Sequence, residues 1–322
     1  MNFEDCIIIG GGPCGLSAAI ELQNIGKNPL VIEKGNIVNA IYNYPTHQTF
    51  FSSSEKLEIG DVAFITEERK PKRNQALTYY REVAKRKELR INRFEQVLLV
   101  DKQSDGTFIV KTNKDQYRTS YVVVATGYYD HPNMMNIPGE NLEKVFHYFK
   151  EPHPFFDTDV VVIGGKNSAV DAALELNKAG ARVTSLYRGS EYSKSVKPWI
   201  LPEFDALARN EQIKMEFNAE IIEIKPHSVI YSVDGIRREI KNDFVFAMTG
   251  YHPDHSFISA MGVHINKESG RPDYDEATME TNVKGIFIAG VLAAGNNANE
   301  IFIENGRFHG RSIAETIMDR EK

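Results

Sequence analysis

The sequence predicts an α/β fold built from two Rossmann-like dinucleotide-binding domains, one inserted into the other. Three observations predict it. Two glycine loops, Gly10-Gly11-Gly12-Pro13-Cys14-Gly15 and Gly164-Gly165-Lys166-Asn167-Ser168-Ala169, each follow a short β-rich apolar run. Each loop opens a helical pattern that leads into a second apolar strand. Each unit is then closed by an apolar run ending in Thr-Gly, at Thr126-Gly127 and again at Thr249-Gly250. A supersecondary pattern that returns in the same order marks an internal repeat. The order strand, loop, helix, strand separates a dinucleotide site from a chance glycine motif.

In the first unit Ile7-Ile8-Ile9 forms the strand that feeds the loop. Gly10 allows the tight turn, Gly12 lets the backbone approach a pyrophosphate, and Gly15 packs helix on strand. Pro13 sits where a helix begins. The helix carries Leu16, Ala19, Ile20, Leu22 and Ile25 inward and stops at Gly26. Its N-terminus offers unpaired N–H groups to phosphate oxygens. Leu30-Val31-Ile32 is the second strand, and Glu33 at its end stands where a carboxylate accepts hydrogen bonds from a ribose diol.

In the second unit Val160-Val161-Val162-Ile163 leads into the loop, a helix runs through Val170, Ala173, Leu174 and Leu176 to Gly180, and residues 183–187 form the next strand. Ala169 replaces the third glycine, which the motif permits. Lys166 replaces the second, so its side chain must turn away or meet the phosphates itself. The ribose position carries Tyr187-Arg188 and no acid. A carboxylate repels a 2′-phosphate, whereas a guanidinium binds it in bidentate geometry. The second site is therefore expected to take NADPH, with Ser190 and Lys194 assisting Arg188. Near the C-terminus, residues 281–290 predict a strand running into a glycine turn, followed by a helix through Ile301, Ile303 and Ile313.

Composition sets the class. The chain has 322 residues, 42% apolar and 25% charged, with a formal net charge of −6. That is the profile of a globular protein with room for two domains, and it argues against nucleic acid, which needs a basic face. No apolar run approaches the roughly 20 residues of a membrane span. Glu4 and Asp5 stand where a signal peptide wants positive charge. These features predict a cytoplasmic protein without a membrane partner. Two cysteines, Cys6 and Cys14, make neither a disulfide framework nor a zinc site, and no metal is expected. Cys6 starts an apolar strand and reads as core. The basic stretch over residues 69–93 reads as a solvated helix face, with a collar for an anionic substrate as its functional alternative. Trp199 reads as packing.

Both glycine loops, both Thr-Gly segments and the terminal Gly285-Ile286-Phe287-Ile288-Ala289-Gly290 resemble the two-dinucleotide-binding flavoproteins of the thioredoxin-reductase-like branch over nearly the whole chain. That resemblance implies an FAD-binding domain at residues 1–128 and 252–322 and an NADPH-binding domain at 129–251. It implies FAD contacts from Gly10, Gly12, Pro13, Cys14, Gly15, Glu33, Lys34, His47, Thr49, Ser52, Thr126, Gly127, Gly290, Val291 and Ala298. It implies NADPH contacts from Gly164, Gly165, Lys166, Asn167, Ser168, Ala169, Arg188, Thr249 and Gly250. A helix N-terminus near residues 296–300 would face the flavin's pyrimidine end.

The departures narrow the reading. No cysteine pair precedes the second loop, where residues 147–154 read HYFKEPHP, and none follows Glu33. Dithiol mechanisms are excluded by composition. Val291 stands where the family has an aspartate on the ribityl chain. The loop Gly-Gly-Gly-Pro-Cys-Gly, residues 44–52 (YPTHQTFFS), the loop Gly-Gly-Lys-Asn-Ser-Ala and residues 295–300 (GNNANE) together resemble the bacillithiol disulfide reductases of the YpdA type. This narrower resemblance implies a small-molecule disulfide substrate, a homo-oligomer and Cys14 as the relay thiol. A thiol at a helix N-terminus can have its pKa lowered from about 8.5 toward 7. The FAD pyrophosphate at the same helix end opposes that, and Cys14 can also be read as filling the place of an alanine. His47 reads first as a structural histidine, with proton donor to a departing thiolate as its functional alternative. A ferredoxin–NADP reductase of the same branch, a flavin-containing monooxygenase and a non-enzymatic FAD/NADPH redox sensor remain alternatives.

Overall fold

The computed structural model describes residues 2–297 and 299–322. The chain forms two compact units, one from Met1–His131 with Tyr251–Lys322 and one from Pro132–Gly250.

The first unit begins with β1 (Asn2–Ile9), α1 (Pro13–Asn24) and β2 (Leu30–Glu33). The short α2 (Asn39–Asn43) and the amphipathic α3 (Arg73–Arg86) follow, then β3 (Ile91–Arg93), β4 (Val97–Lys102), β5 (Phe108–Thr112) and β6 (Gln116–Val124). The sheet runs β3-β2-β1-β6-β5-β4. β1, β2, β3 and β6 pair in parallel, while β4 and β5 add an antiparallel edge. Every residue of β2 is buried, as expected of a parallel strand covered on both faces. In α3, Ala76, Tyr79, Tyr80, Val83 and Ala84 turn inward while Arg81, Lys85 and Arg86 are exposed. The basic stretch is thus mostly a solvated face. Arg73 is the exception: it is buried, lies 5.3 Å from the Tyr42 ring centre and donates to the Tyr42 carbonyl.

The second unit holds β7 (Val145–Phe146), β8 (Asp159–Ile163), α4 (Asn167–Lys178), β9 (Arg182–Leu186), α5 (Leu201–Arg209) and β10 (Ile213–Glu216). A three-stranded antiparallel sheet, β11 (Ala219–Lys225), β12 (Ser228–Val233) and β13 (Ile236–Lys241), precedes β14 (Phe244–Ala247). The main sheet is parallel in the order β10-β9-β8-β14-β7. Phe155 packs edge-on to Phe146, Phe244 and Phe246 in its core.

The chain then returns to the first unit through α6 (His255–Ala260) and β15 (Ile286–Ile288), which pairs in parallel with the last three residues of β6. The predicted strand over 281–290 is therefore only three residues long, introduced by isolated antiparallel bridges at Thr281 and Glu280. The predicted tail helix is broken into three pieces: a 3-10 turn at Gly290–Ala294, one turn of α7 (Ile303–Gly306), and α8 (His309–Arg320). Gly295, Asn296, Asn297 and Asn299 explain the break, because short polar side chains and glycine favour turns over helix interior. Among the described residues no helix starts at 296–300, and Ala298 lies outside them. Among those residues no helix is long and apolar enough to cross a membrane.

The repeat has a common joint. In the first unit Gly10 N–H donates to Ile32 and Ala125 N–H to Ile9. In the second, Gly164 donates to Leu186 and Met248 to Ile163. Both glycines have φ in the left-handed range, +110° and +134°, and a Cβ would lie 2.4 Å from the Ala125 oxygen or 2.5 Å from the Met248 oxygen. The residue before each Thr-Gly is thus the wall against which the first glycine of each loop closes.

Candidate cofactor and thiol site

Around the first loop the backbone is held from two sides. The Glu33 side chain is buried, its Oε2 accepting from Gly11 N–H and its Oε1 from Gly35 N–H, both at 2.7 Å. Burial raises its carboxyl above the ordinary value against the pull of those two N–H groups. Each oxygen keeps a further lone pair for a ribose hydroxyl, so Glu33 is loop brace first. Val38 donates to the Gly11 carbonyl at 2.9 Å from a left-handed backbone, φ 50° and ψ 47°. A β-branched residue rarely adopts that conformation, and strain of this kind gathers at functional sites. No sequence motif marks it.

Three features fit a bound dinucleotide. Gly12 faces open space, where an added Cβ would meet nothing within 4 Å. Pro13 starts α1 as its first residue, leaving the helix end free of a side-chain cap. Thr126 Oγ1 is buried and has no partner among the described residues, a cost that a ligand polar atom removes. Gly127 has φ +71° with nothing near its Cβ position. Lys34 pairs with Asp130 at 2.9 Å. His47 is half-buried on the turn after α2, and Thr49 is exposed, its backbone bridging Lys72. Ser52 donates its hydroxyl to the Glu304 carboxylate of the tail.

Cys14 is where expectation and structure part. Its sulfur lies under the tail, 3.0 Å from the Cβ positions of both Gly290 and Gly306. The residue is half-buried as a whole and its thiol is the enclosed part. Burial pushes the thiol up to about 12, and the Glu304 carboxylate adds to the rise. The lowering anticipated for a helix N-terminus does not occur, because enclosure outweighs the helix end. Tyr44 and Tyr80 are likewise raised by burial, with Cys14 and Glu304 contributing to both. Gly15, one position on, has no room for a side chain, since its Cβ would be 2.0 Å from the Gly10 oxygen. Gly290 N–H donates to His309 Nδ1 at 3.2 Å, and burial lowers the His309 pKa, which keeps that nitrogen an acceptor. Val291 follows in the 3-10 turn and offers no polar side-chain atom.

At the second loop, Lys166 occupies the N-cap of α4 and is exposed, as is Ser168 in the first turn. Gly165 lies under the Tyr187 ring, 2.4 Å from ring carbons to its Cβ position. Arg188 is exposed, and among the described residues neither Arg188 nor Lys166 makes an ion pair. Two uncommitted cations beside a glycine loop suit phosphate groups. The Asn167 side chain is committed elsewhere: it donates to Ser195 O and accepts from Lys197 N, both at 2.8 Å. Asn167 is thus a brace for the 193–197 loop, with only its backbone left for a phosphate. Thr249 Oγ1 donates to Asn133 O at 2.6 Å, unlike its counterpart Thr126, and Gly250 follows with φ +90°. Ala169 is buried, and Cys6 is core. Trp199, read as packing, is 52% exposed. Glu304 and His309 had no marking motif: their meaning comes from what the fold lays beside them.

The model of the pyridine nucleotide-disulphide oxidoreductase family matches residues 7–290. The chain is 69% identical over 319 residues to the bacilliredoxin reductase Bdr of Bacillus subtilis (strain 168), covering 99% of this chain and 98% of that protein. Among solved structures, the bacillithiol disulfide reductase Bdr (YpdA) from Bacillus cereus superposes with a TM-score of 0.98 at 70% identity, over 99% of this chain and all of that one. The enzyme of the same name from Staphylococcus aureus gives 0.97 at 58% identity, over the full length of both. Paired glycine loops, a full-length match to the family model and these likenesses agree that the chain belongs to the pyridine nucleotide-disulphide oxidoreductases.

Proposed function

We propose that this oxidoreductase is an FAD-containing, NADPH-using reductase of a low-molecular-weight disulfide, bacillithiol disulfide first, working in the cytoplasm as a homo-oligomer. The observation that carries the reading is Cys14: one thiol, in the first glycine loop, enclosed by the returning tail, in a chain 70% identical to a protein named for that activity. Residues of the first unit hold FAD, with Gly12 and the α1 N-terminus at the pyrophosphate, Glu33 at the ribose and Thr126 supplying its orphaned hydroxyl. Bound there, FAD supplies two-electron transfer between a nicotinamide and a disulfide. Lys166 and Arg188 of the second unit hold NADPH, Arg188 selecting the 2′-phosphate. Cys14 forms the mixed disulfide with the substrate.

The Bacillus subtilis relative is named as a bacilliredoxin reductase, and the test is NADPH oxidation against bacillithiol disulfide, a bacilliredoxin mixed disulfide, coenzyme A disulfide, glutathione disulfide, ferredoxin and oxygen alone. Bacillithiol disulfide is expected to give the highest kcat/KM, and Cys14→Ala to lose at least about 100-fold of it while still taking up flavin. A fastest rate with ferredoxin, or a Cys14→Ala enzyme as fast as the parent, would sink the reading.

A further inference from the structure

Each unit builds the corner after its second strand in the same way. Ile9 pairs with Ile32 in the first unit and Ile163 with Leu186 in the second, so Glu33 and Tyr187 hold one register position, just past the last pair. Two residues on, Gly35 matches Gly189. In the first corner Glu95 N–H donates to Glu33 O at 3.0 Å and Phe94 N–H to Gly35 O at 2.8 Å. In the second, Ala219 N–H donates to Tyr187 O at 2.9 Å and Asn218 N–H to Gly189 O at 3.0 Å. Phe94 and Asn218 share a left-handed backbone, φ 55° and 52°. The same backbone thus carries two different side chains at the place that reads a ribose.

Those side chains act differently. The Glu33 carboxylate accepts from the N–H groups of Gly11 and Gly35. The Tyr187 ring lies across the matching glycines instead. Its Cγ, Cδ1 and Cδ2 are within 2.5 Å of the Cβ position of Gly165, and its Cε1, Cζ and Oη within 3.0 Å of that of Gly189. Its one acceptor, the hydroxyl, is therefore at the Gly189 end. Among the described residues neither Gly165 N–H nor Gly189 N–H has a hydrogen-bond acceptor. The first corner is anionic, whereas the second presents uncompensated N–H dipoles beside the Arg188 cation. The ring is a fixed wedge, because the Tyr187 backbone is bonded on both sides, its own N–H donating to Glu216 O at 3.0 Å.

We propose that Tyr187 is the specificity-determining residue that rejects NADH: its ring fills the place of the ribose-reading carboxylate between Gly165 and Gly189. The substitution acts twice. It removes the acceptor that a bare ribose diol needs, and it removes the negative charge that would repel a 2′-phosphate. Arg188, one position on, supplies attraction for the phosphorylated nucleotide. Tyr187 supplies the rejection of the other, and discrimination is the difference of the two affinities. The proposal rests on the NADPH reading of the second site and deepens it.

The test is calorimetric titration of the flavin-loaded protein with NADP⁺ and NAD⁺, which differ only in the 2′-phosphate and deliver no hydride. The parent is expected to bind NADP⁺ at least about 100-fold more tightly than NAD⁺. Tyr187→Glu is expected to bring that ratio to about 1 or below, tightening NAD⁺ and loosening NADP⁺ together. Tyr187→Phe, which keeps the ring and loses the hydroxyl, is expected to keep the parent ratio. Tyr187→Gln offers a neutral acceptor, is expected to tighten NAD⁺ about 5-fold, and carries the test if Tyr187→Glu does not fold. A parent-like ratio in Tyr187→Glu, or in Tyr187→Gln where that stands in, overturns the proposal, as does a lost ratio in Tyr187→Phe. A parent without preference whose Tyr187→Glu variant still swings to NAD⁺ overturns the NADPH reading and leaves Tyr187 as the ribose position.

Discussion

Two glycines two positions apart do different work. Gly10 has φ +110° and a Cβ there would collide with the Ala125 oxygen at 2.4 Å, whereas a Cβ at Gly12 meets nothing within 4 Å. Gly10→Ala is therefore expected to destabilise the fold by about 1–3 kcal/mol, read as a lower urea midpoint of the flavin-free protein. Gly12→Ala is expected to leave that midpoint within about 0.5 kcal/mol and to lower flavin affinity, read by flavin titration, because the new methyl occupies the ligand's space. Equal loss of stability in both would refute the division. The sequence motif marked both glycines and told them apart in role, since a tight turn and a close ligand approach are properties of the local chain. It could not anticipate that Cys14 faces Gly290 and Gly306, because that contact joins residues nearly 300 positions apart, and only the return of the tail decides whether a loop thiol is open or shut in.

At the scale of elements, the two strand–loop–helix units were legible because their strands are continuous apolar runs and their helices keep one face apolar, periodicities that a single chain displays. The tail was not. Ile301, Ile303 and Ile313 suggested one helix, yet a local bond from Phe302 N–H to the Asn305 side chain starts a new helix there, and Arg307 reaches the distant Glu55 and Glu58 carbonyls, so the run is in pieces. The difference between the loops has a kinetic consequence. Glu33 closes the first, Arg188 the second, and Arg188 is exposed and unpaired among the described residues. In the proposed reading Arg188→Gln removes a charged hydrogen bond to the 2′-phosphate, a class of bond contributing about 1.5–3 kcal/mol. The expected result is a KM for NADPH raised about 10- to 100-fold with KM for NADH little changed. An equal rise for both nicotinamides would place the 2′-phosphate elsewhere.

For the whole molecule, the first unit is assembled from both ends of the chain, so its integrity depends on how the C-terminal helix is tied down. Arg320 of α8 grips Glu280 through both carboxylate oxygens, and Gly285 N–H adds a bond at 2.7 Å. The Glu280 side chain is only 15% exposed and that of Arg320 26%. Burial pushes the Glu280 carboxyl upward, but the Arg320 hydrogen bonds, the Gly285 N–H and the charges of Arg320 and Lys284 outweigh it and leave the pKa below the ordinary value. A carboxyl lowered in the folded state contributes stability that is complete above its unfolded value, about 4.3, and is lost as pH falls through the folded one. Glu280→Gln is accordingly expected to reduce unfolding free energy at pH 7 by about 1–3 kcal/mol, with the gap between parent and variant closing below about pH 4. Urea unfolding at pH 7 and at about pH 3.5 checks it. A gap that stays constant over that range would mean that packing of α8, and not the ionised clamp, holds the returning segment over Cys14.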